Sequence, residues 1–440
     1  MRYCLYILLH LFFAAAYGQD TIVKPSSPFL SVEDAVAQAL QNNYDIKIAD
    51  NNLKIDVQNV SLANAGLLPN LYGSVDRNNS IQNSKQIRTD GTVQELNNAK
   101  NNSLNYGVNL GWTIFDGFAM FARYDQLKEL QKQGESELKF TVLTRVGDVM
   151  ETYFTLVQQQ QMLQAMDTAV VISRQRVTTA QNRFTIGKAA KLEVLNAEVD
   201  LNTDQTNLLR QKQEYENTKT LMNQLMAREL TQAFRVADSV VTDDKLKLVD
   251  LLSLAGGQNP QIQLALINKR VAELNLKQVK ALRWPNLAVT TGYIFNDSES
   301  SLGFARSNTG RGFNYGLSAN INIFNGFLQK RNEKIAKLQI ENSNVFIDQQ
   351  TQAVNAQLIS AYQTYLTNLD LVKLEKKNVQ IAEQNLDITM EKYRIGTITT
   401  LEVRTAQLNY VNALARSSTA QFNSKLSEVN LKELAGNLSL

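Results

Sequence analysis

Apolar side chains recur along this chain with two periods, and the order of those periods repeats once. Tyr106, Val108, Leu110, Trp112 and Ile114 alternate with Gly107, Asn109, Gly111 and Thr113. That pattern predicts a strand with one apolar face and one small or polar face. Tyr315, Leu317, Ala319, Ile321 and Ile323 alternate in the same way with Gly316, Ser318, Asn320 and Asn322. Leu287, Val289, Thr291, Tyr293 and Phe295 make a third apolar face. Leu71 to Asp76 alternates poorly and is placed as a strand by the repeat described next. After each strand pair the period changes to spacings of three, four and seven. Val149, Tyr153, Leu156, Leu163, Val170, Val177 and Phe184 form one seam, in a stretch without proline from Phe118 to Ile186. Leu358, Tyr362, Tyr365, Leu369, Val372, Val379, Leu386, Met390 and Tyr393 form the other. Such seams predict coiled-coil packing, and helices of about 65 to 70 residues would reach ~100 Å. Polar residues at seam sites (Gln160, Asp167, Arg174, Gln181) suit a broad helical wall with one wet face better than a dry pair.

The repeat holds in register. Phe115-Asp116-Gly117-Phe118 recurs as Phe324-Asn325-Gly326-Phe327, an offset of 324 − 115 = 209. Tyr153 and Tyr362, Phe184-Thr185-Ile186-Gly187 and Tyr393-Arg394-Ile395-Gly396, and Leu192-Glu193-Val194 and Leu401-Glu402-Val403 share that offset. Upstream, Leu68-Pro69-Asn70-Leu71 matches Trp284-Pro285-Asn286-Leu287 at 285 − 69 = 216, and Asn43 matches Asn259. The change of offset predicts a variable loop between the strands. Each repeat therefore reads as helix, two strands and two long helices. Ser31, with Asp34 three residues on, predicts a helix N-cap, and that helix runs to about Gly66 with a break at Asn42-Asn43. Its counterpart breaks at Asn259-Pro260. Gly187 and Gly396 predict C-caps of the outgoing helices, and the chain returns over 192–226 and 401–434. The expected organisation is a signal segment (1–18), N-terminal helices (19–68), strand pair one with an extracellular loop (69–117) and helical hairpin one (118–230). A linker (231–258), a helix (259–284), strand pair two with its loop (285–326), hairpin two (327–435) and a tail (436–440) complete it.

The first residues change the setting. Arg2 precedes the apolar run Leu5 to Ala16, and Ala16-Tyr17-Gly18 is a small-x-small cleavage site. A run of that length is too short to span a bilayer, so a secretory signal is expected, with the mature chain starting at Gln19. The single cysteine, Cys4, and the single histidine, His10, lie inside that segment. A mature chain without them excludes disulfides, thiol nucleophiles, His-dependent triads and His/Cys metal sites. A net charge of +3 from 45 basic and 42 acidic residues advertises no polyanion or nucleic-acid surface. There is no G-x-x-x-x-G-K-[ST] run, so no nucleotide or other cofactor is expected. Asp243-Asp244 pairs two carboxylates, but nothing beside them completes a site, and the segment reads as a solvated linker.

Strands of about ten residues with clean alternation characterise membrane β-barrels. A half-buried soluble sheet alternates in the same way. The export signal favours the membrane, as do the Asn-, Ser- and Gly-rich stretches at 77–104 and 297–313, taken as extracellular loops. Four strands cannot close a barrel, and an open sheet edge is not tolerated in lipid. The barrel must be shared: two copies would give eight strands and a filled interior, three would give twelve and room for a lumen.

With its duplicated plan and paired tips, Arg183-Phe184-Thr185-Ile186-Gly187 with Leu192-Glu193-Val194 and Tyr393-Arg394-Ile395-Gly396-Thr397 with Leu401-Glu402-Val403, the chain resembles the TolC-like outer-membrane efflux protein family. The resemblance covers nearly the whole mature length. It implies an α+β membrane protein, trimeric, with a shared 12-stranded β-barrel in the outer membrane of a Gram-negative bacterium and a long α-helical barrel in the periplasm. The function implied is that of a passive exit duct in tripartite efflux or type I secretion, without enzymatic activity. The partners implied are two further copies, a periplasmic adaptor, an inner-membrane transporter and outer-membrane lipid. By the same resemblance Phe184, Ile186, Gly187, Lys188, Tyr393, Ile395, Gly396 and Thr397 would dock the adaptor. Glu193, Tyr393, Glu402 and Arg404 would form the periplasmic aperture. The family's Arg two residues after the second tip glycine is here Ile398, and its second acid is Thr405, so Arg404 or Lys191 would substitute in the lock. Tyr106, Val108, Leu110, Trp112, Ile114, Tyr315, Leu317, Ala319, Ile321 and Ile323 would face lipid. The alternatives are a periplasmic structural coiled-coil protein without a barrel and an exported enzyme. The alternating strands argue against the first and the lack of any pocket signature against the second.

Overall fold

The computed structural model describes residues 28–301 and 305–438; the expected signal segment lies outside them. The elements run α1 (Val32–Asn42), α2 (Tyr44–Asn59), β1 (Asn70–Ile87), β2 (Val93–Phe115), α3 (Ala119–Thr185) and α4 (Lys191–Leu225). They repeat as α5 (Leu248–Gln258), α6 (Pro260–Ala281), β3 (Asn286–Ser300), β4 (Ser307–Asn320), α7 (Leu328–Ile395) and α8 (Thr400–Leu434).

The duplication extends to single hydrogen bonds. Asn43 breaks the first helix by capping α2: its Oδ1 accepts from the backbone N–H groups of Asp45 and Ile46, and its Nδ2 donates to the Leu225 carbonyl. Asn259 does the same for α6, with Gln261, Ile262 and the Leu434 carbonyl. The Tyr153 hydroxyl donates to the Leu30 carbonyl at 3.0 Å and the Tyr362 hydroxyl to the Leu246 carbonyl at 3.2 Å. In each case donor and acceptor carry the offsets seen in the sequence, so each of these side chains pins the start of its own repeat to that repeat's helical hairpin. Ser31 caps α1 as expected, accepting from the Asp34 N–H at 3.0 Å.

The four strands form one antiparallel sheet in chain order. Among the described residues, the outer edges of β1 and β4 pair with no strand. The register carries Tyr106 opposite both Val75 and Phe295, and Val108 opposite Gly73 and Tyr293. It continues from Tyr293 to Phe313, Thr291 to Tyr315 and Val289 to Leu317. As far as Trp112, Val289 and Ala319 the predicted apolar residues therefore land on one face of the sheet; beyond Thr113 the register slips, so that Phe115 and not the expected Ile114 lies opposite Leu287. Leu71 and Val75, from the strand that alternated poorly, join it. The opposite face is mostly Asn, Ser, Thr and Gly, with Tyr72, Ala288 and Ile294 among them. Gly107 and Gly292 are required there, because a Cβ on either would strike the neighbouring strand's backbone.

Four expectations change. The stretches taken as loops are mostly strand: β1 and β2 have 18 and 23 residues and are joined over 88–92, while β3 runs to Ser300 and β4 starts at Ser307. These polar stretches have no apolar face to signal a strand, and ladder hydrogen bonds hold them instead. Ile321 and Ile323 fall outside β4, which ends opposite Asn286, the first residue of β3. Upstream of that pair lies Pro285, which offers no N–H to continue the ladder. The first helical pair ends at Asn59, short of Gly66. Finally, the linker ends in a regular helix, α5.

The long helices have 67 and 68 residues, which at 1.5 Å rise is about 100 Å. The main core sits at mid-height, where Val149, Tyr153, Leu156 and Val157 of α3 meet Met222 of α4, Val36 of α1, and Phe234 and Val236 of the linker. Its counterpart gathers Val354, Leu358 and Tyr365 of α7 with Leu251, Ile262 and Leu431. Smaller clusters lie toward the tip, around Ile172, Leu386 and Ala406 and around Ala180, Val194 and Ala197, and no described helix is long and apolar enough to cross a membrane.

Candidate functional site at the hairpin tips

Both hairpins turn on a glycine. Gly187 (φ +73°) follows α3, with Lys188 N–H donating to the Arg183 carbonyl at 2.7 Å; Gly396 (φ +91°) follows α7, with Thr397 N–H donating to the Lys392 carbonyl at 3.0 Å. A Cβ would meet nothing at either position, so left-handed backbone rather than space demands glycine.

The two equivalent glutamates then diverge. Glu193 Oε1 accepts from the Tyr393 hydroxyl at 2.9 Å, with Arg183 Nη1 at 3.6 Å and the Arg183 guanidinium 5.0 Å from the Tyr393 ring centroid. This joins the end of α7 to the α3/α4 hairpin. Tyr393 is 1% exposed; burial, then the Glu193 carboxylate, pushes its phenol up from the ordinary value. Glu402 instead completes a capping box with Thr399, its Oε1 accepting from the Thr399 N–H at 3.3 Å. Phe184, the counterpart of Tyr393, has no hydroxyl and lies under the Lys191 ammonium, 5.5 Å from its centroid.

Above the tip lies a cluster the sequence reading missed. Arg176, 1% exposed, donates to Asp200 at 3.0 Å, to Gln407 at 3.2 Å and to the Thr400 hydroxyl at 3.1 Å. Arg404 holds Asp204 with two hydrogen bonds, at 2.7 and 3.1 Å. Gln407 donates to Asp204 at 3.1 Å and to Ser173 at 2.8 Å, and the Ser173 hydroxyl donates to Asp204. The cluster ties α3 and α4 to α8. Arg404 therefore belongs here and not to the Tyr393–Glu193 contact, where Arg183 supplies the cation. The i, i+4 spacing of Asp200 and Asp204 was the available signal, but their cations come from other helices.

Ile186 and Ile395 project from the tips at 65% and 73% exposure, with Phe184 at 38%. Tyr393 does not join them, because its own chain buries it. A further apolar stripe runs the length of α7: Leu338, Val345, Ile359, Leu366, Leu374, Ile381 and Ile388 are all exposed at near-heptad spacing. Leu192, Leu195, Val199 and Leu209 make a shorter stripe on α4.

The family model described as outer membrane efflux protein matches residues 35–228 and 251–437. The chain belongs to the outer membrane efflux protein family. The two matched blocks are the two repeats. The chain is 21% identical to the outer membrane efflux protein BepC of Brucella suis over 93% of its length and 87% of that protein. It is 22% identical to the outer membrane protein TolC of Escherichia coli over 61% of its length, spanning 56% of that protein. The fold is that of solved channels: CusC, with a TM-score of 0.74 at 17% identity over 93% of this chain and 94% of that one, and the CmeC outer membrane channel of Campylobacter jejuni, with 0.75 at 19% over 92% and 85%. The protein is thus a TolC-like outer-membrane efflux protein, and the family is one of channels rather than enzymes.

Proposed function

We propose that the protein is the passive exit duct of a tripartite efflux or type I secretion system. Three copies close a twelve-stranded barrel, and their helices form the periplasmic tunnel. The carrying observation is the open four-stranded sheet, apolar on one face and polar on the other, continuous with helices of about 100 Å. Neither edge can stand in lipid, so further copies must complete it. Tyr106, Val108, Leu110, Trp112, Tyr315, Leu317 and Ala319 then face lipid, while Ile321 and Ile323 sit at the periplasmic rim. The α7 and α4 stripes meet between copies, since exposed apolar stripes of this length mark interfaces. At the far end Phe184, Ile186, Gly187, Lys188, Ile395, Gly396 and Thr397 receive the helical hairpins of a periplasmic adaptor. The adaptor couples the duct to an inner-membrane transporter, which supplies the energy. Tyr393, Glu193 and Arg183 hold the entrance, with the Glu402 carboxylates presented around it.

Membrane fractionation followed by light scattering of the detergent-solubilised complex tests this. An outer-membrane particle of three mature-chain masses is expected; a soluble periplasmic monomer refutes the shared barrel.

A further inference from the structure

The two repeats differ in how many neighbours their short helices have. α6 packs between α3 and α7, whereas its counterpart α2 packs against α3 with no second long helix beside it among the described residues. Gln278 Nε2 donates to Gln126 Oε1 at 2.8 Å, which fixes the α6 face turned to α3. Leu264, Ile267, Val271 and Leu274 precede Gln278 on that face at spacings of three and four, and all are buried or half-buried. At the offset of 216 they become Ile48, Asn51, Ile55, Gln58 and Leu62, on α2 and the turn that follows it, with Tyr44 in the first turn. All six of these are exposed.

The other side of the seam shows the same vacancy with opposite polarity. On α3 it is polar, running Gln126, Glu129, Gln133, Ser136. At the offset of 209 it becomes Ile335, Leu338, Asn342 and Val345 on the half of α7 nearer the sheet. Its three apolar residues are exposed. Charges stay at the margins. Asp348 stands where Lys139 donates to the Gln258 carbonyl, and Lys54, paired with Asp50, stands where Arg270 pairs with Glu273. Polar partners suffice between α3 and α6, because one chain already tethers them. A contact between separate chains must also offset lost translational and rotational freedom, and apolar burial is the means of doing so.

Resting on the trimeric duct proposed above, we infer that α2 of one copy docks on the sheet-proximal half of α7 of another, and that this apolar seam holds the helical wall of the assembly together. Leu62 then meets Ile335 where, within a chain, Gln278 meets Gln126. The occupant is a second copy of this chain because the repeat supplies both faces: the vacant face of α2 and the vacant face of α7 are the counterparts of two faces that meet inside each chain. The α7 stripe nearer the tip is left for α4.

Cysteine cross-linking tests the contact, because the single cysteine, Cys4, lies in the expected signal segment. L62C/I335C and Q126C/Q278C are treated with a short bismaleimide in isolated outer membranes and run on denaturing gels. L62C/I335C should give covalently linked chains up to the trimer, and neither single variant should give any. Q126C/Q278C should remain at the mass of one chain. A second measurement reads the strength of the seam. I48S/I55S should keep the helical circular dichroism of the parent, yet run as monomers after warming in detergent to temperatures at which the parent stays trimeric. V249S, which removes an equally exposed apolar side chain from α5, should behave as the parent. The absence of interchain product from L62C/I335C, or an I48S/I55S assembly as heat-resistant as the parent, overturns the inference. A parent that is itself a monomer overturns the shared barrel instead, which is a distinguishable failure.

Discussion

Replacing Arg404 by Leu should destabilise the helical wall more than any loss of packing explains. Asp204 is 6% exposed, and both its oxygens accept from Arg404. Without the guanidinium, a buried carboxylate retains only the Ser173 hydroxyl and the Gln407 amide. Breaking a buried pair from one side costs about 3–5 kcal/mol. The two remaining donors and the shared Asp200–Arg176 pair offset part of this, so about 3 kcal/mol per chain is expected. At roughly 2 °C per kcal/mol for a chain of this size, the melting temperature should fall by about 6 °C. Asp204→Ala combined with Arg404→Leu removes the stranded charge and reproduces the pair found at the offset of 209, Ala413 and Leu195. The double variant should recover more than half of the loss, a coupling readable in a double-mutant cycle. Thermal unfolding of the detergent-solubilised protein, followed by circular dichroism at the helical band, reads both variants. A double variant as unstable as Arg404→Leu alone would refute the reasoning, because the lost element would then be the packing of the arginine stem.

Glu433 is held above the ordinary carboxylate value by burial, then by Asp148 and Glu151. Its raised folded value means its stabilising contribution is complete below about pH 4.5 and lost as the pH rises. Glu433→Gln should therefore raise the melting temperature at pH 7 and leave it unchanged at pH 4. Burial pushes the Tyr365 phenol up to about 12 from 10.0, so stability present below pH 10 should decay between pH 10 and 12. Absorbance titration should show a last tyrosine ionising near pH 12 that Tyr365→Phe removes; a single step near 10 would count against its burial. Gly117 and Gly326 are repeat equivalents at φ +71° and +63°, yet a Cβ on Gly117 would strike the Ala281 carbonyl and Trp284, and one on Gly326 meets nothing. Gly117→Ala should cost about 1 kcal/mol of backbone strain and a further ~1–3 kcal/mol of overpacking. A melting loss no larger than the strain alone would contradict the contact.

The hydrophobic pattern by itself determined which side chains meet a phase boundary. A face repeated every second residue, or a seam every three and four, is local information, so the strand pairs, the long helices and the glycine tips were legible. The offsets of 209 and 216 were legible too, and with them the equivalence of Tyr153 and Tyr362 and of Asn43 and Asn259. The strand extensions above the apolar band were not, because Asn- and Ser-rich stretches have no apolar face and are strand only by virtue of the ladder beside them. Nor could the sequence divide the labour between equivalent residues. Glu193 and Glu402 sit at the same position of the same motif, but a tyrosine from α7 reaches one while the other caps its own helix. Arg404 looked like a tip residue, yet Asp204, two hundred positions away in sequence, captures it. Those outcomes depend on what a neighbouring helix brings within hydrogen-bonding distance. Only the tertiary structure decides that, because such contacts follow from packing across the wall and leave no period along the chain.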